Sequence, residues 1–418
     1  MSDHAQAVLL LDPVKTGEGY KQAARDLGLR VVSLYTVEQG ELNGRWPTHA
    51  DGDDISLYAS TPADIVSAVA EAGLQVVAVV PAMEAGVQLA DVLADMSGLP
   101  GNDVSLALAR RNKAAMRARA AEVGLAIPSF QRVEDLTEVP RVAAAIGYPV
   151  ILKPTTGAGS HGVTLLSTAA DAANLRPTDA TDLFGWPVRE WLVEQYVRGR
   201  ELAVNCLSSD GDHQIIDMWE YRQPDGRDYD FPLWNTVQLT PDDPDWSRVE
   251  AFVAQVLRAY GVSRGPSHTE VKCNADGVFL IEIGARLAGG PATDLWSAHT
   301  SFRPYHDSLE CYLGRRPTIM DGVVETYAAY GAIAIRNDVG PGTLTDIHGL
   351  AELEAHPNVA KVLVGYAPGD RIPLTQDSKT IPVGAWVSAP DQDALLRVMG
   401  ELRRMVSLEI AYDGTERG

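Results

Sequence analysis

The chain has 418 residues, enough for two to three domains and for a core that needs no covalent staples. Apolar residues make up 45% and charged residues 22%, which excludes a disordered or fibrous chain. Lys plus Arg is 35 and Asp plus Glu is 56, a net charge of −21 that makes nucleic acid and anionic membranes poor partners, although one basic cleft can sit in an acidic shell.

The N-terminal run is too short and too poor in basic residues for a secretory signal, and no run approaches a membrane span. Cys206, Cys273 and Cys311 lie far apart with no metal-ligand spacing, so a reducing, cytoplasmic location is expected. Ala7–Leu11, Leu29–Tyr35 and Gln75–Val80 are short apolar runs that suit strands buried on both faces. Helical patterns over Gly19–Leu27, Pro62–Ala72 and Glu84–Met96 alternate with them, a rhythm that predicts a small doubly wound parallel sheet. A helix is predicted over Ser105–Val123. It carries Arg110, Arg111, Lys113, Arg117 and Arg119, most of them read as a solvated basic face.

Strands follow at Pro149–Lys153, Val163–Leu166, Trp191–Val197 and Leu202–Leu207, then a long loop from Pro224 to Trp246. A helix over Arg248–Tyr260 leads to a hairpin over Ser267–Ile283. The last hundred residues form a separate α+β pattern, with strands at Ala328–Arg336, Ala360–Tyr366 and Ile381–Ala389 and a helix over Asp391–Met405.

Two segments carry chemistry. The first, Lys153-Pro-Thr-Thr-Gly157-Ala-Gly159-Ser160-His161-Gly162, contains a literal GxGxxG. A dinucleotide fingerprint must open a helix, because the helix N-terminus holds the pyrophosphate. This loop runs into a β-branched strand instead, so a nicotinamide site is disfavoured. A glycine-rich loop between antiparallel strands is a flap whose backbone N–H groups, with Ser160 and Lys153, can close over a triphosphate. The blander alternative is a flexible hairpin turn.

The second segment is the hairpin, with strands on either side of Asn-Ala-Asp-Gly. A three-residue loop over Ala275–Gly277 puts Glu270 directly opposite Glu282 on one face, with Cβ atoms about 5 Å apart. Two such carboxylates need a shared proton, a cation such as Lys272 or Arg286, or a hard divalent metal such as magnesium. A two- or four-residue loop would separate their faces, and a surface ion-pair ladder is the plain alternative. A phosphate cradle plus a magnesium site describes an ATP-dependent phosphoryl-transfer centre.

With these residues on the page, the chain resembles the ATP-grasp superfamily over about residues 75–300. Within it, the chain is most similar to the L-amino-acid ligases, the dipeptide synthetases of the bacilysin-synthetase kind. The motifs stand in order: VVPAMEAGVQLADVLADMSGLPG with Glu84, RRNKAAMRARAAEVGLAIP with Lys113, YPVILKP with Lys153, TTGAGSHG, WLVEQYVRGRELAV, and HTEVKCNADGVFLIEIGARLAGG. The resemblance implies a fold of mixed α/β and α+β type. An N-terminal doubly wound parallel-sheet domain (1–105) precedes an ATP-grasp domain (106–318) with its ATP-binding flap at about 128–197. A C-terminal α+β cap (319–418) would close on the amino-acid site.

It further implies that Lys113 and Lys153 contact ATP phosphates, with Gly157, Gly159, Ser160 and Gly162 forming the cradle and Ser160 and His161 over the transferred phosphate. Glu194 and Val197 would meet the adenine edge, largely through backbone groups, and Glu201 the ribose. Glu270 and Glu282 would hold one or two Mg2+ ions, and Arg286 would act at the reacting carboxylate. Glu84, His268, Gly289 and Gly290 would face the substrates, with Trp296, His299 and Arg303 as weaker pocket candidates. The implied activity is an ADP-forming ligation of a carboxylate to an amine through an acyl phosphate. Its partners would be small-molecule amino-acid or amine substrates. A carboxylase, a nucleotide-biosynthesis ligase and a non-catalytic ATP-binding protein are the alternatives. Many such ligases are dimers, which leaves a homodimer open. One departure stands out: many family members carry Asn two residues after the second metal glutamate, where this chain has Gly284.

Overall fold

A computed structural model describes residues 5–36, 50–58, 61–175, 181–222 and 235–412. The N-terminal segment forms a four-stranded parallel sheet in the order β3-β2-β1-β4, from β1 (Gln6–Leu11), β2 (Arg30–Leu34), β3 (Ile55–Leu57) and β4 (Gln75–Pro81). Its strands carry Val, Leu and Ala on both faces because helices cover both. These are α1 (Gly19–Asp26), α2 (Pro62–Glu71) and α3 (Val87–Met96). Thr61 starts α2 by accepting from the Asp64 N–H, with Pro62 in the first turn, where no N–H is needed. The chain order reverses between β1 and β4, and ligand crevices in open α/β sheets form beyond the strand C-termini at such points. Glu84 stands in the turn after β4.

The helix predicted over Ser105–Val123 is broken. Asn112 caps a shorter α4 (Lys113–Glu122) by accepting from the N–H groups of Ala114 and Ala115, and a turn occupies the stretch before it. The solvated basic face is also corrected: Arg110 and Arg117 are fully buried and Arg111 and Lys113 nearly so.

An antiparallel sheet in the order β5-β8-β6-β7 follows, built from β5 (Phe130–Val133), β6 (Val150–Pro154), β7 (Thr164–Leu166) and β8 (Trp191–Gln195). Helices α5 (Val139–Ile146) and α6 (Ala169–Ala173) pack on it. The glycine loop joins antiparallel β6 and β7 rather than opening a helix, and the first N–H of α4, that of Lys113, donates to the Thr155 carbonyl at its start.

The large sheet contains β9 (Arg200–Ser209), β10 (Asp212–Arg222), β11 (Asn235–Gln238), β12 (Gly265–Asn274) and β13 (Gly277–Gly284). Part of the predicted 224–246 loop is therefore strand, and residues 224–234 of that loop lie outside the described residues. α7 (Trp246–Ala259) covers one face through Val249, Val253, Val256 and Leu257. α8 (Ala292–His299) and α9 (Pro304–Tyr312) pack in the core shared with the N-terminal sheet.

The C-terminal hundred residues supply β14 (Ala329–Ile335), β15 (Gly342–His348), α10 (Leu350–Glu354), β16 (Val359–Val364), β17 (Arg371–Ile372), β18 (Val383–Ala389), α11 (Gln392–Met405) and β19 (Ser407–Tyr412). They are not separate in space. β14, β18 and β16 continue the large sheet in the order β13-β12-β9-β10-β11-β14-β18-β16, while β17-β15-β19 form a small sheet. β14 joins through β11, the strand that a loop reading of 224–246 conceals.

Candidate functional site

The hairpin puts Glu270 opposite Glu282 by a route other than the predicted one. The loop has two residues, with Asn274 paired to Gly277, and this register runs to Val271–Leu280. A bulge at Ile281 then adds one residue and restores the Glu270–Glu282 pairing. The expected result holds because two departures cancel.

The carboxylates are not relieved by the predicted cations. Lys272 pairs with Glu201 at 2.5 Å, across the β12–β9 ladder, and Arg286 pairs with Glu84 at 2.7 Å. Glu282 instead meets Lys113 Nζ at 2.9 Å. That ammonium also donates to the Gly157 carbonyl at 3.1 Å, so α4, the glycine flap and the acidic hairpin meet at one atom. Glu270 accepts from the Tyr221 hydroxyl at 3.2 Å and lies 3.4 Å from His268 Nε2. Burial works to raise the Glu270 carboxyl, but His268, Tyr221 and Lys113 hold it below the ordinary range.

Behind His268 lies a buried relay that sequence reading missed. Asn205 Nδ2 donates to Asp217 Oδ1 at 2.7 Å, which turns its Oδ1 toward His268 Nδ1 at 2.8 Å. The His268 Nδ1 must then carry a proton. Asp217 Oδ2 also accepts from Trp219, from Trp296 at 2.7 Å and from Tyr330 at 2.8 Å. Burial raises the Asp217 carboxyl, against the pull of these donors. Trp296 is thus a core side chain that also packs edge-on against Phe302. His299 stacks on Tyr330, and Arg303 is paired with Asp307.

Lys153 and Glu194 are not side by side by chance of sequence: β6 and β8 pair antiparallel, and Lys153 Nζ meets Glu194 Oε2 at 2.6 Å. Arg117 closes the other carboxylate oxygen at 2.6 Å and also donates to the Ile281 carbonyl at 2.7 Å, at the bulge. Burial would raise the Glu194 carboxyl, yet Arg117 and Lys153 hold it at about 2. Arg117 stands four residues after Lys113, on the same helical face, which is the signal that could have found it. Val197 is buried just beyond β8.

The flap loop is strained where it turns. Gly157, Gly159 and Gly162 have positive φ, and so does Ser160 at 60°, a conformation that costs a non-glycine residue about 1–2 kcal/mol. The loop is held from the C-terminal segment. His161 Nδ1 lies 2.7 Å from Asp377 Oδ2, and the Ser378 N–H donates to the Gly159 carbonyl at 3.1 Å. A Cβ on Gly159 would fall 2.3 Å from Ser378 Oγ. The cap therefore reaches the flap itself.

Glu84 is almost fully buried. Burial works to raise its carboxyl, but Arg286, Arg111 and Lys113 hold it below the ordinary range. The departure at Gly284 has a physical reason here: a Cβ would lie 3.1 Å from Glu84 Oε2, the oxygen that accepts from Arg286. Gly289 and Gly290 are exposed, with open space where a Cβ would project.

Residues 146–294 match the family described as ATP-grasp domain, and residues 339–411 match L-amino acid ligase C-terminal domain 2. The chain is 33% identical over 220 residues to dapdiamide A synthase of Enterobacter agglomerans, covering 51% of each protein. It is 22% identical over 292 residues to the L-arginine-specific L-amino acid ligase of Bacillus subtilis, covering 67% of each. The chain thus spans about half the length of the first of these curated relatives and 67% of the second. In fold it is similar to the L-amino acid ligase from Bacillus licheniformis, with a TM-score of 0.76 at 18% identity over 98% of this chain and 100% of that one. No helix among the described residues is long and apolar enough to cross a membrane.

Proposed function

The chain has the ATP-grasp fold with an L-amino acid ligase C-terminal domain, and from that premise we propose that it is an ADP-forming carboxylate–amine ligase. It would activate an amino-acid carboxylate with magnesium-ATP and join it to an amine, giving a dipeptide or a related amide. The observation that carries this reading is the junction at Lys113, which ties the flap carbonyl of Gly157 to Glu282, directly opposite Glu270.

The donor set fits magnesium: two facing carboxylates, hard oxygen ligands, and no thiolate among the groups that bond to them. Glu270 and Glu282 would hold the ion, with water and phosphate oxygens completing its shell. When bound, the ion supplies charge neutralisation on the β- and γ-phosphates.

A carboxylate is a poor acyl donor, and phosphorylation gives it a good leaving group. Lys113 would move its ammonium from Glu282 and the flap carbonyl to the phosphates. Lys153, fixed by Glu194, would hold a second charge near the phosphates and adenine. Glu201 would accept from the ribose. The flap would cover the reacting phosphoryl group through its N–H groups, Ser160 and His161, and would exclude the water that hydrolyses an acyl phosphate. Arg286, aimed by Glu84, would steady the oxyanion when the amine attacks. Gly289 and Gly290 would leave room for the substrate side chain.

The test is ADP release from magnesium-ATP over a pairwise amino-acid panel with product masses recorded. The reading requires ADP formation together with a product equal to two substrates minus water. ATP binding with no product from any pair contradicts it.

A further inference from the structure

One buried cation beside this site makes no salt bridge within 4 Å among the described residues. Arg111 stands in the turn before α4 and is 6% exposed. Both its terminal guanidinium nitrogens are buried without a hydrogen bond. Its neighbours in the basic run each have a carboxylate partner: Arg110 with Asp91, Lys113 with Glu282, Arg117 with Glu194 and Arg119 with Glu122. The Arg111 guanidinium carbon lies 5.5 Å from the centroid of the Phe184 ring. Phe184 packs with Met83 and Ala85, on either side of Glu84, and with Ala158 of the flap. The charge of Arg111 reaches Glu84 and helps hold its carboxyl ionised.

An unpaired guanidinium in such a place is costly, because it has given up water without gaining acceptors. Contact with an aromatic ring holds it in position but satisfies none of its N–H groups. Those groups form a planar fork that matches an oxyanion.

We infer that Arg111 is an oxyanion anchor of the site, taking either the free carboxylate of an amino-acid substrate or the phosphoryl group in transfer. This rests on the ligase reading. Either ligand would supply the acceptors that the folded chain withholds, and both would enter between the Glu84 turn and the flap.

The test compares wild type with Arg111→Met and Arg111→Lys in two binding preferences. One is Mg-AMP-PNP over Mg-ADP by calorimetry, which reads the terminal phosphoryl group. The other is an accepted amino acid over its α-carboxamide by KM, which reads the carboxylate. Arg111→Met should reduce one preference at least about tenfold, the range for a hydrogen bond to a charged group. Arg111→Lys, which keeps charge but loses the fork, should fall between. The preference that collapses names the ligand. Removing an unpaired buried charge should also leave the melting temperature unchanged or higher, which a structural role would not. Both preferences retained in Arg111→Met overturn the anchor alone. Wild-type protein that binds no magnesium nucleotide overturns the ligase reading and the anchor with it.

Discussion

Glu194 is the carboxylate on which two buried cations depend, so its removal is the sharpest perturbation of the framework. Glu194→Gln keeps the shape of the side chain and deletes the charge between Arg117 and Lys153. Breaking one partner out of a buried ion cluster costs about 3–5 kcal/mol, because the remaining charges stay buried without compensation. The pH dependence gives an independent magnitude. The carboxyl sits at about 2 in the folded chain against an ordinary 4.5. A depressed carboxyl contributes stability that is fully present above its unfolded value and is lost as pH falls through the folded one. The difference of 2.5 units corresponds to about 3 kcal/mol in total, of which about 2 kcal/mol is gone by pH 3. Urea unfolding of wild type and Glu194→Gln at pH 7 and pH 3, followed by tryptophan fluorescence, reads both. The variant should be less stable by at least about 3 kcal/mol at pH 7, and the gap should narrow by about 2 kcal/mol at pH 3. A gap under about 1 kcal/mol, or one that does not change with pH, refutes the reasoning.

Gly284→Ala places a Cβ 3.1 Å from Glu84 Oε2 and should push that carboxylate off Arg286. Steady-state kinetics should show kcat/KM for the amino acid falling about threefold to tenfold with ADP affinity unchanged, and urea unfolding should show lower stability because Glu84 and Arg286 form a largely buried pair. Asp377→Asn should loosen the flap by weakening the contact with His161, whose pairing holds the Asp377 carboxyl below the ordinary range against burial. ADP released per amide formed should rise as water enters, and a ratio equal to wild type would contradict the latch.

Much of the site was legible because its residues lie close in sequence or follow strand periodicity. The flap was readable from four small residues between two strands, and the glutamate pair from alternation along a hairpin. The bulge at Ile281 was not, since periodicity cannot register an extra residue. The basic run misled for a related reason. Charged side chains on a helix read as solvated unless their partners are known, and Asp91, Glu194 and Glu282 come from three distant segments. Asp217 and Asp377 were invisible on the same ground. Each gains its role from contacts distant in sequence, with Trp296 and Tyr330 above all for Asp217 (79 and 113 positions) and His161 for Asp377 (216 positions). The strand β11 has four residues inside a stretch rich in Pro and Asp, which hides the link by which the C-terminal strands join the large sheet.

The central claim is that ATP phosphorylates a carboxylate at this site. An accepted substrate labelled with 18O in its carboxylate tests it directly, by mass analysis of the phosphate released during turnover. The account predicts one 18O atom in each phosphate, with ADP as the nucleotide product. Unlabelled phosphate, or AMP and pyrophosphate as products, would contradict it.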